Sequence, residues 1–272
     1  MQTRIGKMRI NIAGGTGIMG RVHKPIFENA GHEIIISGRK TTPSLEEAAQ
    51  ISDLTIVTVP IHATEETIKK VAPYCSALMD FTGLKKSPIE SMLKYSNKNC
   101  EVGGLHPLYG DVLSIKGETI VYCPTNMSGN KCNIVIDAFE KSGAKIKIMD
   151  PQSHDLLVGC IAQNARLILF GAFTGLMEMY SLSAKELYEI SPPPTRIILD
   201  LIARQADKKN DSLYEDMQKY NPSTKEITNY LSIALDASGA EYTPGIIRAL
   251  YGERFLKESQ ARARALIKKS KE

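Results

Sequence analysis

Three glycines, Gly15, Gly17 and Gly20, stand in G-x-G-x-x-G spacing inside Gly14-Gly15-Thr16-Gly17-Ile18-Met19-Gly20. That pattern suits a dinucleotide. A tight turn needs glycine, the backbone must come close to a pyrophosphate, and the following helix must pack near the preceding strand. The helix N-terminus then offers N–H groups and a partial positive charge to the phosphates. A second group, Ser37-Gly38-Arg39-Lys40, falls where such folds choose between cofactors. An acid there would bond the ribose 2′-hydroxyl and repel a 2′-phosphate. A hydroxyl and two cations suit a 2′-phosphate, so Ser37, Arg39 and Lys40 point to NADP over NAD. A third candidate is His106, whose imidazole could exchange a proton near neutral pH.

The elements that must position these residues are legible. Residues 8–13 read as a short buried strand, and a helical pattern runs through Val22, Ile26 and Phe27 to Gly31. Residues 33–37 form a second strand, so the glycines sit in a strand–turn–helix–strand unit, the context the fingerprint requires. Ser44 with Glu47 caps a short helix. Strands are expected at 54–59, 77–81, 101–104, 119–123 and 145–149, and helices at 64–72, 88–95 and 131–142. Strands alternating with helices predict an α/β, doubly wound parallel sheet of Rossmann type. Ligands in such sheets lie at the carboxyl ends of the strands. Gly14, Ser37, Pro60, Phe81 and, just past one strand, His106 occupy those ends. The turn residues Gly15, Thr16, Gly17, Ile18, Met19 and Gly20, with Pro60, are therefore the expected cofactor contacts.

Beyond residue 150 the strand signals stop. Helices are expected at 154–180, 183–189, 193–206, 211–219, 223–237 and 243–269, with breaks at 207–210 and Asn221-Pro222. The expected organisation is an NADP-binding domain over residues 1–150 and an all-helical substrate and dimerisation domain over 151–272. Extensive apolar helix faces favour completion by a second copy, a homodimer. The net charge of +4 and the absence of a Lys/Arg block interleaved with aromatics argue against nucleic acid. Five cysteines with no C-x-x-C argue for a reducing compartment and against a zinc site. Residues 1–7 are polar and no signal peptide or run of about eighteen apolar residues is read, so the expectation is cytoplasm with no membrane span.

Gly104-Leu105-His106-Pro107-Leu108-Tyr109-Gly110-Asp111 resembles the G-x-H-P-M-x-G segment of the prephenate and arogenate dehydrogenases of tyrosine biosynthesis. Asp80-Phe81-Thr82-Gly83-Leu84-Lys85 resembles that family's D-x-x-S-x-K strand end, and His154-Asp155 the H-D opening its interdomain helix. Residues 200–204, 213–218 and Asn221-Pro222 resemble its helical-domain segment. The resemblance spans residues 9–222.

The resemblance implies a reaction. Hydride leaves C4 of a cyclohexadiene for the nicotinamide, the C4 oxygen gains carbonyl character, the ring carboxylate departs as carbon dioxide, and the ring becomes aromatic. It assigns His106 to the C4 hydroxyl, where a neutral imidazole accepts the hydrogen bond, and Arg204 to a substrate carboxylate, which a planar guanidinium can grip with two bonds. Two positions depart from the pattern. Gly83 replaces a serine expected to orient the histidine or the substrate hydroxyl, and Thr82 is the available stand-in, although one residue's shift on extended chain points the other way. Arg166 stands where relatives often carry a histidine; with Gln163 and Asn164 it marks a polar, cleft-lining face. His23, His32 and His62 read as surface or loop residues and His154 as a structural residue at a helix start. Arogenate is the rival substrate. The glycine turn also fits an NADP-linked deazaflavin or imine reductase, or a non-catalytic NADP-binding regulator. No separate amino-acid-sensing domain is expected within 272 residues, so tyrosine inhibition would act at the active site.

Overall fold

A computed structural model describes residues 6–205, 211–237 and 251–269 of the chain. The expected break at 207–210, Ala206, and the helical residues expected at 243–250 lie outside the described residues. The chain divides into two compact units, residues 1–162 with 216–222, and residues 163–215 with 223–272. The division thus falls beyond the compositional change at 150, and a short helical segment from the second half belongs with the sheet.

The first unit is a seven-stranded sheet in the order β2-β1-β3-β4-β5-β6-β7. Its strands are β1 (Arg9–Ala13), β2 (Glu33–Ser37), β3 (Leu54–Val57), β4 (Ala77–Asp80), β5 (Glu101–Pro107), β6 (Thr119–Pro124) and β7 (Lys145–Ile148). Helices α1 (Ile18–Asn29) and α5 (Asn130–Lys141) cover one face with Phe27 and Phe139. Helices α2 (Leu45–Gln50), α3 (Ile61–Val71) and α4 (Lys86–Tyr95) cover the other with Ala49, Ile68 and Met92. Central strands β3 and β4 are buried at every position, as a sheet covered on both faces requires.

The doubly wound sheet is present with one difference from the all-parallel expectation. β6 runs antiparallel to β5. Residues 108–118 between them hold no helix, and a return without a helical crossover brings the next strand back antiparallel. The same pairing lengthens β5. His106 pairs with Val121 and Pro107 with Ile120, so His106 lies within the strand rather than beyond it.

The glycine turn is built as the fingerprint requires. Gly14 has φ +87°, a left-handed conformation that disfavours other residues. A Cβ at Gly15 would meet Ile36 Cδ1 at 2.5 Å and Ile12 O at 2.8 Å, and one at Gly20 would collide with the Gly15 backbone. Bare backbone at both positions lets α1 start close against β1. The capping box of α2 forms as expected, with Ser44 Oγ accepting from Glu47 N and Glu47 Oε2 from Ser44 N.

In the first unit, α6 (Pro151–His154) follows β7; the helical stretch with π-type bonding that comes next, Asp155–Ala165, begins in this unit and ends in the second. The second unit holds α7 (Arg166–Met179), α8 (Ala184–Ile190), α9 (Pro193–Gln205) and α11 (Thr224–Ala237), with a further helix at Glu253–Lys269; α10 (Asp211–Tyr220) passes from it into the first unit. One expectation needs correction. The stretch Pro151–Met179 is long and apolar enough to cross a membrane by length and composition only, an 18-residue window within it having mean hydropathy 1.6. Gln163, Asn164 and Arg166 interrupt the apolar run without lowering its average enough to exclude it.

Candidate active site

Strands β1 to β5 are parallel neighbours, apart from the order of β1 and β2, and present their carboxyl ends on one edge. The chain reverses its direction of travel across the sheet between β1 and β3, where doubly wound folds form their ligand crevice. The glycine turn follows β1, and Pro60 precedes α3 just after β3. Ile18, Met19 and Gly20 form the first turn of α1, with Gly17 as its cap; N–H groups at such positions have no partner within the helix. A Cβ at Gly17 would meet only Gly14 O, at 3.4 Å, and Thr16 and Gly17 are exposed. These residues fit a dinucleotide pyrophosphate: two glycines close the turn and the third leaves its backbone bare.

Arg39 and Lys40 are exposed just beyond β2, and Gly38 N donates to Thr41 Oγ1 at 2.8 Å. Ser37 does not join them. Its hydroxyl is fully buried and donates to Asn11 Oδ1 at 2.8 Å. The last residue of a strand alternates to one face or the other, and this one faces the neighbouring strand's asparagine.

Thr82 also departs from expectation. Its hydroxyl contacts the Asp80 carboxylate and donates to Leu84 O at 2.9 Å. It belongs to a buried cluster in which Lys85 Nζ pairs with Asp80 and donates to Leu105 O at 2.8 Å. The position that faces the histidine is Gly83: a Cβ there would stand 3.7 Å from His106 Nε2 and 2.8 Å from Met217 Sδ. One residue along the chain reverses the side chain's direction, so Thr82 does not replace the family serine.

His106 is buried and its Nδ1 lies 2.9 Å from His154 Nε2. His154, fully buried, places its Nδ1 2.8 Å from Asp155 Oδ1. Asp155 also accepts from Lys85 N at 2.7 Å and Lys86 N at 3.0 Å. Burial, then His154 and Lys85 nearby, hold the His106 pKa well below the ordinary histidine value, so its ring is neutral near pH 7. His154 is therefore more than a helix-start residue. The adjacency His154-Asp155 was the available sequence signal; which ring it would meet was not.

Two further histidines differ from expectation. His23 is fully buried on α1, with Nδ1 2.7 Å from Met19 O and Nε2 2.8 Å from Tyr109 Oη. A carbonyl only accepts, so Nδ1–H donates and the tyrosine hydroxyl donates to Nε2. The pair ties the segment after His106 to the helix that starts at the glycine turn. Desolvation lowers the His23 pKa to about 4. His32 is buried and accepts from Met8 N at 3.2 Å. His62 lies in the first turn of α3 rather than a loop and is half-exposed, as a surface reading expects, but its ring Nδ1 lies 2.7 Å from Asp216 Oδ2 and its backbone N donates to the same oxygen at 3.0 Å. Asn221 Nδ2 donates to Asp155 O at 3.0 Å. Asp216, Met217 and Asn221 thus dock the 216–222 segment around the His106 cluster.

The remaining expected residues belong to the second unit. Gln163 and Arg166 are half-buried, and Arg204 is exposed on α9. Asn164 is buried and donates to Thr224 Oγ1 at 2.9 Å. Arg166 Nε is buried without a hydrogen-bond partner among the described residues.

A family profile described as "Prephenate dehydrogenase, nucleotide-binding domain" matches residues 13–148, half of the chain. The chain belongs to the prephenate dehydrogenase family. A probable arogenate/prephenate dehydrogenase from Methanocaldococcus jannaschii is 29% identical over 81% of this chain and 53% of its own length. The T-protein of Haemophilus influenzae is 27% identical over 93% of this chain and 70% of its own length. The chain spans about half the length of the first of these relatives. Among solved structures, a prephenate dehydrogenase from A. aeolicus in complex with hydroxyphenyl propionate and NAD+ has TM-score 0.69 at 17% identity, covering 96% of this chain and 99% of that one. A Synechocystis arogenate dehydrogenase has TM-score 0.55 at 16% identity, covering 95% of this chain and all (100%) of that one. At these identities the structural matches show the shared fold, a Rossmann-like sheet followed by helices.

Proposed function

We propose that the protein is an NADP-dependent dehydrogenase that converts prephenate to 4-hydroxyphenylpyruvate by oxidative decarboxylation. The observation that carries this is His106. It is neutral, held from behind by His154, and directs Nε2 toward the side-chain-free Gly83 at the carboxyl edge that carries the glycine turn. Such a ring accepts the C4 hydroxyl hydrogen bond and takes its proton as carbonyl character develops. When bound, the nicotinamide supplies the hydride acceptor. The Gly15–Gly20 turn, Ile18, Met19 and Pro60 would hold it. Arg39 and Lys40, exposed after β2 with no acid beside them, favour a 2′-phosphate through charge-assisted bonds. The family resemblance assigns Arg204 to a substrate carboxylate, with Arg166 as a second guanidinium candidate for that role.

The reading extends to assembly and location. Among the described residues of the second unit only Leu199 is a buried apolar side chain, while Leu176, Met179, Ile190, Tyr230 and Ile233 are exposed. A second copy covering these faces, a homodimer, accounts for them, and it also accounts for the apolar run ending at Met179 without a bilayer. Four buried free thiols, Cys75, Cys100, Cys123 and Cys132, suit the cytoplasm.

The test is turnover of prephenate and of arogenate, each with NADP and with NAD, followed by the absorbance of the reduced nicotinamide. Prephenate with NADP is the expected productive pair. His106→Asn should lower kcat by about 100-fold or more with NADP affinity unchanged. Undiminished turnover in that variant overturns the assignment of His106, and faster turnover of arogenate overturns the choice of substrate.

A further inference from the structure

Asp155, His154 and His106 form a linear chain whose hydrogens can be placed by elimination. Asp155 accepts two backbone N–H groups, from Lys85 and Lys86, a setting that suits an ionised, acceptor-only carboxylate. His154 Nδ1, 2.8 Å from it, must then be the donor. A neutral imidazole that donates at one nitrogen accepts at the other. With His154 as such a neutral ring, its Nε2 is the acceptor and His106 Nδ1, 2.9 Å away, carries the hydrogen. That leaves His106 Nε2 as a bare lone pair, on the side where Gly83 contributes no side chain. The other charged groups at the cluster are Lys85 and Asp80, which pair with each other.

We propose that Asp155 and His154 are positioning residues that lock His106 in its Nδ1–H tautomer and stabilise the positive charge that arrives when its Nε2 takes a substrate proton. This rests on the dehydrogenase reading above. As the C4–H electron pair leaves as hydride to the nicotinamide of NADP, the hydroxyl O–H bond breaks and a His106 Nε2–H bond forms. The new imidazolium donates through Nδ1 to His154, whose own Nδ1–H faces the Asp155 carboxylate. When carbon dioxide departs and leaves its bonding pair to the ring, the proton returns from Nε2 to the ring oxygen and a phenol results. No net proton is released, so the chain needs no exit to solvent. Its task is to hold one charge for the interval between hydride loss and decarboxylation. A buried imidazole without the acceptor behind it would be free to present Nε2–H, which cannot accept.

The test measures tautomers and rates on the full chain. Protein labelled with ¹⁵N-histidine, with resonances assigned by single substitutions, should show His106 and His154 both in the Nδ1–H form, the less favoured one for a free imidazole. Asp155→Asn can donate as well as accept; it should release His106 toward Nε2–H and lower kcat about 100-fold, with KM and NADP affinity near those of the unmodified protein. His154→Gln, whose amide oxygen can accept from His106 Nδ1, should hold the tautomer and keep about tenfold more activity than His154→Leu. NADP affinity reports whether each variant has folded, and His154→Gln decides the question if Asp155→Asn has not. His106 found as Nε2–H in the unmodified protein overturns the proposal, as does Asp155→Asn with unchanged tautomer and kcat. If the unmodified protein turns over neither diene, the dehydrogenase reading fails, while the tautomer measurement still decides how the chain is protonated.

Discussion

Lys85→Met puts the buried ion pair to a quantitative test. Lys85 and Asp80 are both fully buried, and Lys85 Nζ spans from the Asp80 carboxylate to Leu105 O, the residue before His106. Asp80 Oδ2 also accepts from Thr82 N at 3.0 Å, whereas Oδ1 has no partner among the described residues. Methionine fills the lysine's space and removes the charge. It leaves a carboxylate with no counter-ion inside the protein and a carbonyl with no donor. Breaking a buried pair on one side costs about 3–5 kcal/mol, a large share of the roughly 5–15 kcal/mol by which domains are stable. Adding Asp80→Asn removes the stranded charge and keeps an oxygen for Thr82 N. The double variant should therefore recover most of the loss and end about 1–2 kcal/mol below the unmodified protein, the cost of the hydrogen bonds still missing. Urea unfolding followed by circular dichroism measures all four corners of the cycle, and amide exchange in β4 and β5 locates the loss. A single variant that costs under about 1 kcal/mol, or a double variant no better than Lys85→Met, refutes the view that Lys85 is the counter-ion on which Asp80 depends.

Two other outcomes follow from the same geometry. Gly83→Ser pushes its Cβ against Met217 Sδ, 2.8 Å away in the present packing; because the sulfur ends a flexible side chain, the cost should be about 1 kcal/mol, and it should vanish in a Met217→Ala background. Non-additivity of zero would show that Met217 is not what fills the serine's place. His23 is neutral in the folded protein down to about pH 4, whereas the unfolded chain takes up a proton near the ordinary 6.5. Its contribution is thus complete above pH 6.5 and is lost as pH falls from there toward 4. The shift is worth on the order of 3 kcal/mol. His106 and His32, also lowered, act in the same direction. His23→Gln should flatten the slope of stability against pH in that window, and an unchanged slope would remove His23 as its source.

Much of the sheet domain was legible because its signals are local. β2 (Glu33–Ser37) and the capping box at Ser44 and Glu47 depend on short stretches of sequence, and the glycine turn depends on spacing alone. The direction of β6 was less legible, since it depends on a connection that lacks a helix rather than on the strand's own residues. Ser37 and Thr82 misled for one physical reason. Side chains on extended backbone alternate, and a residue type that suits a ligand can face its neighbour instead. Here one hydroxyl turned to Asn11 and the other to Asp80.

The sequence by itself determined the family, the dinucleotide turn, the cationic end of β2 and His106 as a candidate, because each is written in residue type and short spacing. Only the tertiary structure decided what stands behind that histidine. His106 and His154 are separated by two strands and a helix, and no local pattern states that their rings meet at 2.9 Å. Nor does spacing reveal that Gly83, not Thr82, looks at Nε2, or that Lys85 joins β4 to β5 beneath it. Those facts come from the sheet and the helix after β7 bringing distant residues together, where burial leaves each polar atom to the few partners within reach.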